Sequence, residues 1–162
     1  MRKVFVAVFI LTVVLKVNAQ QVTVVNFDTF EPQLHKQTDT LYMVHFWATW
    51  CIPCVKEMPT ILEETKKFAN EKFKLILVSF DFTRDIDSKL EPYLVKHNFN
   101  QHVFVMDDPD YNSWINKVDS VWSGALPATF IYNKNTKEFH EGSFKEGELS
   151  AILNTKLKNR KQ

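Results

Sequence analysis

Apolar residues along this chain fall into short blocks whose period changes from one block to the next. Leu41–Trp47 and Phe73–Phe80 are almost unbroken apolar runs, the pattern of strands covered on both faces. Between them Val55, Met58, Ile61, Leu62 and Phe68 recur at helical spacing, which predicts a helix over Cys51–Asn70 kinked at Pro59. Val22–Phe27 and His102–Met106 are shorter strand candidates, and Thr29–Gln37 fits either a helix or a loop. Asp85–His97 reads as a helix, with Asp85 as its N-cap and Pro92 as an irregularity inside it. Asp108-Pro109-Asp110 opens a short helix through Trp114. Ala128–Tyr132 and Lys137–Ser143, separated by Asn133-Lys134-Asn135-Thr136, predict an antiparallel hairpin. Gly147–Lys158 closes the pattern as an amphipathic helix. The order βαβαβα, then ββα, predicts an α/β fold: a central mixed sheet flanked by helices on both faces.

The first residues follow a different rule. Arg2 and Lys3 precede an apolar run of 12 residues, Val4–Leu15, and Val17-Asn18-Ala19 then presents small side chains where a signal peptidase reads. A membrane-spanning helix needs about 20 apolar residues, and Lys16 ends this run too early. Residues 1–19 are therefore expected to be a cleaved signal peptide and 20–162 the folded domain, in a periplasmic or otherwise extracytoplasmic compartment. An uncleaved anchor is the alternative. Cleavage removes Arg2, Lys3 and Lys16, taking the formal charge from +1 to −2.

Composition narrows the class further. A chain of 162 residues, 45% hydrophobic and 14% aromatic, has the length of one domain and is too apolar for disorder. A formal charge of +1 gives no sign of a nucleic-acid partner. The basic tail Lys156–Lys161 reads as a solvated helix end. A monomer is expected.

The chain holds two cysteines, Cys51 and Cys54. A bridge between them closes a very small loop and restrains little of the unfolded chain, so a structural staple is a poor explanation. A zinc site wants four ligands, and neither a second CxxC nor a suitable His pair is present; no metal or cofactor is expected. Redox exchange remains. Cys51 stands at a helix start, where free backbone N–H groups and the positive dipole end favour thiolate. Pro53 suits the first helical turn, because its missing N–H has no intrahelical partner there. Cys54, one turn further in, is the expected resolving thiol. Trp50 is expected beside the exposed sulfur as docking surface, and Trp47 in the core.

Phe46-Trp47-Ala48-Thr49-Trp50-Cys51-Ile52-Pro53-Cys54, followed by Lys56-Glu57-Met58-Pro59, resembles the active site of the exported TlpA/ResA-like branch of the thioredoxin-like fold. Gly124-Ala125-Leu126-Pro127-Ala128-Thr129-Phe130 is similar to the loop and strand that carry that family's cis-proline. The resemblance implies a thiol–disulfide oxidoreductase that reduces protein disulfides and draws electrons from a membrane-embedded thiol protein. Trp50, Ile52, Pro53, Leu126 and Pro127 would then contact substrate, with residue 126 pairing to an incoming peptide backbone. The resemblance also implies that Glu57, at i+3 from Cys54 and on the same helical face, tunes the thiols. Three departures stand out. Ile52 lies between the cysteines where relatives often carry a polar residue or proline. His45 occupies a position that is acidic in thioredoxins and often Asn in this branch. Tyr111–Gly124 does not align. His45 is either a hydrogen-bonded buried imidazole or a proton relay to Cys54. An oxidase or isomerase uses the same dithiol in other directions, and a binding module with incidental thiols is the rival outside enzymes. A thiol peroxidase is the most distant reading, since Asp81-Phe82-Thr83 has no cysteine nearby.

Overall fold

The structure, a computed structural model, describes residues 22–159. The leader expected over residues 1–19 lies outside the described residues. Six strands form one sheet: β1 (Val22–Val25), β2 (Leu41–Trp47), β3 (Phe73–Ser79), β4 (Val103–Met106), β5 (Ala128–Tyr132) and β6 (Lys137–Glu141). Their spatial order is β1-β4-β3-β2-β5-β6. β1, β4, β3 and β2 run parallel, and β5 pairs antiparallel with β2 on one side and with β6 on the other, so the sheet is mixed as expected.

Five helices cover it: α1 (Phe27–Phe30), α2 (Ile52–Lys66), α3 (Glu91–Lys96), α4 (Tyr111–Val118) and α5 (Glu148–Asn159). The period-2 alternation of β2 divides the core. Leu41, Met43 and Trp47 pack in one cluster with Cys54, Met58 and Ile61 of α2, Leu94 of α3 and Leu149 and Leu153 of α5. Tyr42, Val44 and Phe46 pack in the other with Phe27 and Phe30 of α1 and Trp114 and Val118 of α4. All seven residues of β2 are buried, which accounts for its unbroken apolar run.

Several expected boundaries are corrected. The strand expected over Val22–Phe27 stops at Val25, because the Asn26 carboxamide accepts from Thr29 N at 3.0 Å and caps α1, burying Phe27 and Phe30. Within Thr29–Gln37, a 3₁₀ turn over Glu31–Gln33 follows α1. Asp85 is not a side-chain N-cap; its carboxylate takes Lys89 Nζ at 3.0 Å instead. The expected helix over Asp85–His97 is a 3₁₀ turn (Thr83–Asp85), a π-helical turn (Ile86–Leu90) and then α3, which carries Pro92 in its first turn. A proline is tolerated there because its missing N–H has no intrahelical partner. The helix expected to end at Trp114 continues to Val118, since Val118 is buried beside Trp114. Among the described residues no helix is long and apolar enough to cross a membrane.

Candidate active site

β2 ends against α2, and the cysteines sit at that junction. Cys51 is extended (φ −86°, ψ 100°) and is the N-cap of α2: its Sγ accepts from Cys54 N at 3.3 Å. Cys51 and Cys54 form a disulfide, with 5.3 Å between their Cα atoms. Cys54 is fully buried and Cys51 is 6% exposed, the expected order. The turn before Cys51 is anchored from β3. Asp81, itself buried, accepts from Thr49 N at 3.0 Å, from the Thr49 hydroxyl, and from Ser79 Oγ at 2.7 Å. Sequence reasoning gave Asp81 no such part. A buried carboxylate two residues after a buried serine is a weak signal until β3 is laid beside β2.

The outer face of the disulfide opens onto an apolar groove of about 600 Å³ lined by Trp50, Cys51, Pro53, Phe80, Tyr111, Trp122 and Leu126, among others. Trp50 is 56% exposed, held by its Nε1 donating to Phe80 O at 3.3 Å. Ile52 is exposed on the helix beside Cys51 but is not among the groove's lining residues. The Leu126–Pro127 bond is cis; Leu126 lines the groove, and Pro127 is buried beneath it. The stretch that did not align, Tyr111–Gly124, supplies the far wall. Trp122 is held by its Nε1 donating to Ala125 O at 3.0 Å. Gly124 has φ +88°, which favours glycine, and an added Cβ would lie 3.6 Å from Ile115 Cδ1. The aromatic content of that stretch was its only sequence signal.

One turn past Cys54 on α2, Glu57 meets polar groups from β2 and from the loop after β6. Glu57 Oε2 accepts from Phe144 N at 3.2 Å. Its Oε1 lies 3.7 Å from His45 Nε2, and neither of these buried atoms has a hydrogen-bond partner. Burial pushes the Glu57 carboxyl up to about 7, against the opposing pull of Phe144 N–H and Ser143. His45 is fully buried, and burial pushes it down to about 3, so its ring is neutral. A neutral imidazole at 3.7 Å from Glu57 is not an ion pair. His45 Nδ1 is 2.9 Å from Thr129 Oγ1, its register partner on β5. The two candidates for the proton of Cys54 are thus brought together, separated by one short gap. Among the described residues no group of three or more His, Cys, Asp or Glu is arranged to hold a metal ion.

Comparison with known proteins gives consistent matches. A profile of the AhpC/TSA family matches residues 15–137. The chain is 23% identical over 113 residues to the thioredoxin-like protein YneN of Bacillus subtilis, covering 68% of this chain and 62% of that protein. It is 27% identical over 94 residues to the thiol-disulfide oxidoreductase ResA of the same organism, covering 58% and 48%. The chain therefore spans about half to three-fifths of the length of these curated relatives. A thiol:disulfide interchange protein of the thioredoxin family from Chlorobium tepidum superposes with a TM-score of 0.61 at 20% identity, covering 78% of this chain and 84% of that one. That likeness shows a thioredoxin fold.

Proposed function

The chain belongs to the AhpC/TSA family of thioredoxin-like proteins, and from that premise we propose that it is an exported thiol–disulfide oxidoreductase that reduces protein disulfides. The observation that carries the reading is a disulfide at a helix start, with one sulfur facing a groove, the other fully buried, and a carboxyl whose burial pushes it up to about 7 one helical turn further on. In the reduced protein, Cys51 thiolate attacks one sulfur of a partner's disulfide, and the partner's other sulfur leaves as thiolate. Glu57 takes the proton from Cys54. The Cys54 thiolate then attacks Cys51 Sγ, forming the Cys51–Cys54 disulfide and releasing the partner fully reduced; two electrons pass from this chain to the partner.

Trp50, Pro53 and Leu126 line the substrate side, with Pro127 buried under Leu126 and Ile52 exposed beside Cys51 at the groove's edge. The groove suits an extended peptide with an apolar side chain next to its cysteine, and Leu126 backbone would pair with it. After each turnover the disulfide must be reduced again, which in this reading falls to a membrane-embedded thiol protein. The leader over residues 1–19 would put the domain outside the cytoplasmic membrane, where disulfide-bonded substrates persist.

Cys54→Ser tests the assignment. Its Cys51 should trap partners as mixed disulfides that a reductant releases, while Cys51→Ser should neither turn over nor trap. Trapping through Cys54 in the Cys51→Ser protein would reverse the roles.

A further inference from the structure

Glu57 is met by His45 from β2 and by the backbone of Phe144 from the loop after β6. His45 on β2 pairs in register with Leu77 on β3 and with Thr129 on β5, and Thr129 pairs with His140 on β6. Paired positions share a face of the sheet, so His45, Thr129 and His140 form a polar row across it. The row ends at Phe144, whose ring stacks on His140 at 4.2 Å and whose N–H donates to Glu57 Oε2. The unpartnered Nε2 of His45 and the unpartnered Oε1 of Glu57 face each other across 3.7 Å.

We propose that His45 is a positioning residue for Glu57: the Thr129 hydroxyl donates to Nδ1, leaving the imidazole proton on Nε2, and Nε2–H closes on Oε1 whenever the carboxyl is ionised. The inference rests on the reading of Glu57 as base for Cys54. A neutral imidazole carries one proton, and a hydroxyl donating at Nδ1 assigns that proton to Nε2. Burial low enough to hold His45 near 3 keeps the ring neutral throughout. With Phe144 N–H on Oε2 and His45 Nε2–H on Oε1, the carboxylate is bonded at both oxygens before it receives a proton. When the proton of Cys54 arrives, the bond from His45 opens, and a spacing of 3.7 Å, beyond hydrogen-bond range, suits that state. The imidazole neither gains nor loses a proton. His45 is thus distinct from a relay.

The other titratable groups around Glu57 are the cysteines at the start of its helix, Lys56 and Glu64 on that helix, Lys145 and Glu146 on the loop closing the same cleft, and His140 behind Phe144. From β3 and β5, His45 meets Leu77 and Thr129, neither of which titrates.

The experiment is NMR of the full chain, reduced and oxidised, with ¹³C in the Glu57 carboxyl and ¹⁵N in the His45 ring. Above the carboxyl midpoint, Nε2 should be protonated and Nδ1 bare. A donor to the charged form lowers a carboxyl midpoint, so His45→Leu should raise that of Glu57 by about one unit or more. His45→Gln, whose amide can still donate, should restore most of the shift, and the acid limb of the turnover profile should move with it. A proton on Nδ1, or an unchanged or lowered midpoint in folded His45→Leu, overturns the proposal. Should His45→Leu not fold, the wild-type tautomer and His45→Gln decide it. An unaltered rate and pH profile in Glu57→Gln would instead sink the role of Glu57 as base, while the midpoints still report the contact independently of turnover.

Discussion

Replacing Glu57 by glutamine should stabilise the oxidised protein at alkaline pH, although it removes the group proposed to act in turnover. The folded chain holds this carboxyl at about 7 against a reference of 4.5. At about 1.4 kcal/mol per unit, the elevation corresponds to roughly 3 kcal/mol, with little discount for solvent because the side chain is only 10% exposed. The sign follows from proton uptake. Between pH 4.5 and 7 the folded protein keeps a proton that the unfolded chain has released. That stability is complete below 4.5, is lost as pH rises through 7, and is absent above it. Glutamine cannot ionise, and its oxygen still accepts from Phe144 N–H. At pH 8 the variant should therefore melt about 6–12 °C above the wild type, taking about 2–4 °C per kcal/mol for a domain of this size. His45, lowered from 6.5 to about 3, contributes in the opposite window. Its stability is present above 6.5 and lost as pH falls toward 3, in both proteins, so it cancels in their difference. Thermal melts of the two disulfide-bonded proteins from pH 4 to 9 are the assay. The gap should open between about pH 4.5 and 7 and then stay level. Parallel curves across that range would refute the reasoning.

Tyr111→Ala and Phe82→Ala each remove an exposed aromatic wall of the groove. Each should raise KM for a disulfide-bonded peptide with an apolar neighbour by about tenfold, the scale of one apolar side chain's burial, while leaving the Cys51–Cys54 reaction with dithiothreitol unchanged. Asp81→Ala strips the acceptor from Thr49 N, the Thr49 hydroxyl and Ser79 Oγ. Leaving these donors unpaired should cost about 3 kcal/mol or more, measured as a lower denaturation midpoint with the disulfide intact.

What could be read in the sequence was whatever depends on neighbours along the chain. β2 announced itself because all seven of its side chains are buried, and α2 because its apolar positions keep helical spacing up to the core. The cysteines, Pro53 and Trp50 lie within one turn of a helix start, so their relative placement follows from local geometry. Asn26 escaped notice since a cap and a strand end look alike until Phe27 and Phe30 have a core to enter. Thr129, 84 positions from His45, is its partner only through the antiparallel register of β5 on β2. Phe144 reaches Glu57 from 87 positions away, for the same kind of reason. Trp122 and Tyr111 belong to a stretch without a periodic signature, and only the folded sheet turns them toward Cys51. Thus the nucleophile was legible, whereas its groove and the surroundings of its acid were products of tertiary packing.

The reduction potential of the Cys51–Cys54 couple is the measurement that bears most directly on the proposed reductase. Equilibration in glutathione or dithiothreitol buffers, read by alkylation and mass, gives it in one experiment. A reductase requires a couple near that of thioredoxin, about −270 mV, or lower. A potential near those of protein disulfide isomerase and DsbA, about −180 to −120 mV, would make the chain an electron acceptor from its partners and contradict the direction proposed here.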